Sequence, residues 1–156
     1  MKKMDNWLAS YDVSHQSTLN KIISWVTTPL LLFGVLSILY ALPAKGHSAW
    51  VNWASVGLIL MAIIYAFKSV NVSLGVLLLG AITIWKLTWL PTWIGGNLGL
   101  GTVTGLLIIG SLVAQWFGYK KEENPPTIPA MLFNILKSPA WLVRALFKLT
   151  GGLIKY

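Results

Sequence analysis

The chain has few residues from which to build a reactive centre: two histidines, four carboxylates and no cysteine among 156 residues. The lack of cysteine excludes disulfides, thiolate zinc sites, iron–sulfur clusters and thiol nucleophiles. The polar residues that do occur are bunched. Tyr11, His15, Gln16 and Asn20 fall just before the first long apolar run, and Glu122 and Glu123 just after the last. If those two runs are neighbours, the His15 imidazole meets the Glu122 carboxylate, which is the start of a hard-metal or iron site but not a complete one. The plainer readings are an interfacial histidine and a solvated charge run shared with Lys120 and Lys121. His47 has only Lys45 near it and is assigned no role.

The elements that must position these groups are membrane helices. A composition of 56% hydrophobic and 10% charged residues, with a mean hydropathy of +0.70, is not that of a water-soluble domain. Four runs approach the ~20 apolar residues that cross ~30 Å of hydrocarbon: 22–42, 49–67, 69–85 and 98–117. Between the last two, Leu87 to Asn97 carries Pro91 and Gly95-Gly96 and reads as an interfacial or re-entrant loop. The fold class expected is all-α: one polytopic membrane domain of four spans, an interfacial N-terminal segment over 1–20 and an interfacial C-terminal helix over 128–149. Trp7, Leu8 and Tyr11 are spaced to share a face of the first, and Pro139 should kink or divide the second. Residues 1–20 lack the apolar core of a removable signal.

Twelve Lys/Arg against four Asp/Glu would suggest nucleic acid in a soluble protein, but here the charges are sided. Four spans leave both termini on one side with ten of the twelve basic residues, and only Lys45 and Lys86 opposite. The positive-inside rule then makes both termini cytoplasmic, and no nucleic-acid partner is required. Trp25, Trp50, Trp53, Trp85, Trp89, Trp93 and Trp116 lie near predicted span ends, as belt anchors do. Gly101 and Gly105 form a small-xxx-small pair that would admit another helix. A small multidrug-type transporter also has four short spans, but it needs an ionisable group near the midplane, and none of these spans has one in its interior.

The order Tyr11, His15, Gln16, Asn20, Lys21, Trp25, Pro29, Leu30 resembles the opening of the 2-hydroxy fatty-acid dioxygenase family, which includes the yeast alpha-oxidation enzyme and bacterial relatives. A second block, Gln115, Gly118, Lys120, Glu122 and Pro126, then Ser138-Pro139-Ala140-Trp141-Leu142, is similar to that family's Gln-x-x-Gly-His motif and C-terminus. The resemblance runs from Trp7 to Tyr156, the middle matching in hydropathy only. It implies a multi-pass bacterial inner-membrane protein whose histidines hold Fe(II), using O₂ to shorten 2-hydroxy fatty acids by one carbon. His15 is retained. Ser24 stands where the family has its next histidine, Tyr119 where it has the one after the motif glycine, and Thr27 where it has the glycine two residues before the proline.

These departures strike the chemistry, because an O₂-activating ferrous centre commonly takes two imidazoles and a carboxylate. The resemblance leaves His15 and Glu122 as metal ligands, with Tyr119 as ligand or proton donor and Ser24 beside them. Lys21 and Lys120, with Asn20 and Gln115, would bind the substrate head. Three readings follow: a lipid-binding member that has lost the metal, a different reaction in the same pocket, or a substituted version of an active parent. In each the partner is membrane lipid or a 2-hydroxy fatty acid, held by its acyl chain.

Overall fold

In the computed structural model, which describes residues 2–43, 46, 48 and 50–150, the chain is built of helices with no strand among the described residues. They run α1 (Lys2–Val13), α2 (Thr18–Ala41), α3 (Trp53–Ala66), α4 (Val70–Leu87), α5 (Leu90–Trp93), α6 (Gly96–Tyr119) and α7 (Ile128–Leu149). Four of them, α2, α4, α6 and α7, are long and apolar enough to cross a membrane. His47, Lys45 and the Tyr156 tail lie outside the described residues.

The expected boundaries shift for local reasons. The segment expected over 1–20 is α1 and then a break, because Ser17 caps a new helix by accepting the Asn20 amide. The run expected over 49–67 becomes helical only after Asn52, whose side chain accepts the Ser55 amide. That leaves α3 with 14 residues, or ~21 Å at 1.5 Å per residue. The stretch 87–97 holds the short α5, and Gly95 and Gly96 turn the chain into α6 at φ of +88° and +72°, where a Cβ would be strained. Pro139 does not divide α7, which is continuous through it.

The most extensive interface is the antiparallel pair α2 and α6. Gly118 lies against Asn20 and Ile23, Gln115 Nε2 donates to Thr27 Oγ1 at 3.0 Å, and Gly34 lies against Ile108. On the far side of α2, Gly57 of α3 meets Leu39, and Gly80 of α4 meets Leu58. Thus the glycines that carry close helix contact are Gly34, Gly57, Gly75, Gly80 and Gly118. Gly101 and Gly105 have open space where a Cβ would be, so their pair packs no helix of this chain.

One end of the bundle is closed by α1 and α7. Asn134 reaches the end of α6 at Tyr119, Tyr65 Oη at the end of α3 donates to the Leu136 carbonyl, and Val143 packs on Gly75 near the start of α4. All three contacts lie at the same end, so α7 lies across the bundle there instead of following its length. Its Arg144, 5% exposed, ties α1 down through Asp5 at 3.2 Å and Asp12 at 2.6 Å. Met4, Leu8 and Tyr11 of α1 are buried against it in the core. Trp25 also belongs there, packed edge-on to Trp141 at 5.9 Å, whereas Trp50, Trp53, Trp85, Trp93 and Trp116 are exposed as belt residues are.

Candidate functional site

The break between α1 and α2 puts His15 on the inside. Its Nδ1 lies 2.9 Å from the Tyr11 carbonyl oxygen, and its ring stacks on Tyr11 at 3.9 Å with 8° between the planes. A carbonyl only accepts, so Nδ1 carries the hydrogen and, in the neutral ring, Nε2 presents its lone pair. That atom is buried and has no partner. Burial is the main cause that lowers the His15 pKa below the usual imidazole value, opposed by the Tyr11 carbonyl and the charges of Glu122 and Asp12.

Around it gather more polar groups than the apolar core can satisfy. The Tyr11 hydroxyl lies beside those of Ser24 and Thr28, yet none of the three makes a hydrogen bond of normal geometry. Burial raises the Tyr11 phenol above its usual range, the two nearby hydroxyls opposing it. Tyr119 closes another side, its ring edge-on to His15 at 5.1 Å and its hydroxyl 3.4 Å from Asn134 Nδ2, which also donates to Ser14 Oγ at 3.0 Å. Trp141 completes the wall, 5.4 Å from the Tyr11 ring and 6.3 Å from His15. His15, Ser24 and Tyr119 therefore share one site.

Glu122 serves a different purpose. Its carboxylate accepts from the Gln16 and Ser17 amides, the Ser17 hydroxyl and Asn20 Nδ2, at 2.8–3.3 Å. It thereby caps the positive end of α2 from across the bundle. Burial alone would raise its pKa, but these four donors outweigh burial and hold it below the ordinary carboxylate value. Asn20 Nδ2 is taken up by Glu122 and the Ser14 carbonyl, and Gln115 Nε2 by Thr27. Lys21 is exposed and Lys120 lies over the Trp116 ring at 3.6 Å, so neither faces the buried groups.

This donor set does not fit ferrous iron. His15 Nε2 is one strong nitrogen donor, Ser24 and Thr28 are neutral hydroxyls, Tyr119 is engaged with Asn134, and Glu122 is saturated by N–H and O–H donors. Among the described residues no three His, Cys, Asp or Glu side chains converge.

Further along α2 from Thr28 is a cleft of ≈ 230 Å³, lined by α2 (Leu31, Leu32, Leu36), by Met61 of α3 and by Ile135 and Pro139 of α7, among others. Ser24, Thr28, Leu32 and Leu36 are spaced four apart and form one stripe of α2, all buried. The stripe begins as orphaned hydroxyls and ends as the wall of the cleft. Sequence reasoning missed Thr28 and Asn134. The signals were available: Thr28 follows Ser24 by four, and Asn134 is the one amide in the apolar stretch from Ile128 to Leu136. Comparison with family models, curated proteins and solved structures finds no match for this chain.

Proposed function

We propose that this is an inner-membrane protein of the 2-hydroxy fatty-acid dioxygenase type that binds lipid acyl chains from the cytoplasmic leaflet, its iron chemistry lost with the histidines replaced by Ser24 and Tyr119. The stripe of α2 carries this reading: buried polar groups at Ser24 and Thr28 continue without a break into the apolar wall at Leu32 and Leu36. An amphiphile has this order of polarity. Lys21, Lys68, Lys120, Lys121 and the cations of α7 gather at the site's end of the bundle, against Lys86 at the other, which supports cytoplasmic termini. The two substituted positions converge beside His15, which supports the family resemblance over chance similarity of two short blocks.

Photo-crosslinking tests the reading. A fatty-acyl lipid with a mid-chain diazirine, supplied in nanodiscs, should label peptides containing Leu31, Leu32, Met61 and Ile135. Val35→Trp, which fills the mouth of the cleft from a half-exposed position, should suppress that labelling. Labelling spread evenly over the lipid-facing helices and unaffected by Val35→Trp would exclude acyl-chain binding.

A further inference from the structure

We infer that the buried polar cluster around His15 accepts the uncharged hydroxyl end of a lipid, such as a long-chain alcohol or a monoacylglycerol, in preference to a carboxylate or a metal ion. The inference rests on the acyl-chain reading above and concerns only the group at the end of the chain.

Hydrogen-bonding capacity is the first argument. Tyr11 Oη, His15 Nε2, Ser24 Oγ and Thr28 Oγ1 are buried on residues no more than 2% exposed, and none makes a hydrogen bond of normal geometry, although the Tyr11 hydroxyl lies beside those of Ser24 and Thr28. Three are hydroxyls that donate and accept, and the fourth, His15 Nε2, only accepts. A lipid hydroxyl is complementary: its hydrogen goes to Nε2, and its lone pairs receive the O–H groups of Ser24, Thr28 or Tyr11. A carboxylate has no hydrogen for Nε2, and the two lone pairs would face each other.

Charge is the second. A buried carboxylate needs a cation, and cations of the neighbouring segments, among the described residues, are engaged or turned outward. Arg144 is held by Asp5 and Asp12 through its two terminal nitrogens, Lys137 lies on Ser10 and the Trp7 ring, Lys120 lies over Trp116, and Lys21 is exposed. The charges that act on His15 are anions, Glu122 and Asp12, which repel a carboxylate. A divalent ion is no better served, because one neutral nitrogen and three neutral hydroxyls do not replace its hydration shell.

The experiment is competitive binding to the full chain in nanodiscs at pH 8, with radiolabelled hexadecan-1-ol displaced by unlabelled hexadecanol, 1-monopalmitoylglycerol or hexadecanoate. The expected result is that one or both hydroxyl lipids bind about tenfold or more tighter than hexadecanoate, equivalent to about 1.4 kcal/mol. Thr28→Val and Ser24→Ala, which remove hydroxyls and leave the apolar wall, should each weaken hydroxyl-lipid binding several-fold and leave hexadecanoate unchanged. Hexadecanoate binding as tightly as the alcohol would overturn the inference and leave the acyl-chain reading standing. Binding of neither class would overturn both. Hydroxyl-lipid binding indifferent to both variants, or stoichiometric binding of Fe(II) that is lost in His15→Ala, would overturn the inference by showing that these groups serve something else.

Discussion

The two ends of the α2–α6 pair are built on opposite principles. At the end closed by α1 and α7, polar side chains are buried and cross-linked between helices: Gln115 to Thr27, Asn134 to Ser14, Glu122 to the start of α2. At the other end Thr88 turns back to the Trp85 carbonyl, Thr92 to that of Trp89 and Thr102 to that of Leu98, and the link from Trp53 Nε1 to the Pro43 carbonyl is exposed. The orphans follow the same division. Among the described residues, six of the eight buried side-chain polar atoms without a hydrogen bond of normal geometry, on Tyr11, His15, Asn20, Ser24, Thr28 and Arg144, lie at the first end. A buried polar atom left unpaired costs ~1–3 kcal/mol, and such groups are concentrated at the first end. The candidate site is assigned to that end because the buried polar groups converge there on His15.

The comparison breaks most readily at Arg144. Replacing it with Met removes the cation that joins α7 to α1 and leaves Asp5 and Asp12 unpaired. The carboxylates are 44% and 45% exposed and stay partly solvated, so the loss should be about 2–3 kcal/mol, under the 3–5 of a fully buried pair. Thermal unfolding in detergent should show a large drop, with α1 becoming protease-sensitive first. An unchanged melting temperature would mean that α1 docks through Met4, Leu8 and Tyr11 alone. Next in size is Gly118→Ala. Its Cβ would run into Asn20 Oδ1, forcing α2 and α6 apart where Asn20 holds Glu122, at a cost of about 1–3 kcal/mol.

How legible this was in the sequence differs by region. The all-helical membrane fold followed from hydropathy, and the gathering of His15 with Glu122's segment followed from placing the first and last long runs side by side. The span limits did not, because they depend on local caps such as Ser17 and Asn52, which end an apolar run without changing its hydropathy. The role of Glu122 was hidden for a different reason. Its partners are the Gln16 and Ser17 amides, more than a hundred residues away, and backbone donors leave no trace in residue type. The α7 segment was ambiguous because its Arg144 and Lys137 signal an interface, while its length and remaining residues suit a span.

Glu122 provides the pH test of the comparison. Its folded pKa lies below the ordinary carboxylate value, so its contribution is full above the unfolded pKa of about 4.3 and is lost as pH falls through the lower folded value. His15 acts in the same direction. Its folded pKa lies below 6.5, so the unfolded chain takes up a proton first and stability declines as pH falls from about 6.5. Glu122→Gln should lower stability by about 1–2 kcal/mol at neutral pH, the range of a lost helix cap, and the deficit should shrink on acidification. A deficit constant from neutral pH to the acid limit would show that the hydrogen bonds matter and the charge does not.

The smallest effect belongs to the middle of α6 and carries the opposite sign. Gly105 lies within the helix, and a Cβ there meets nothing within 4 Å. Ala removes conformational freedom from the unfolded chain without a clash, so Gly105→Ala should stabilise the protein by about 0.4–1 kcal/mol. Gly118→Ala is the same change thirteen residues later on the same helix and should destabilise. The pair thus isolates packing from propensity, since both exchange the same residues in a helix and only the neighbours differ. If both substitutions raise the melting temperature, α2 and α6 are not closely apposed at Asn20, and the polar end loses its anchor. If both lower it, Gly105 is covered by something outside this chain, and the open face of α6 is an interface.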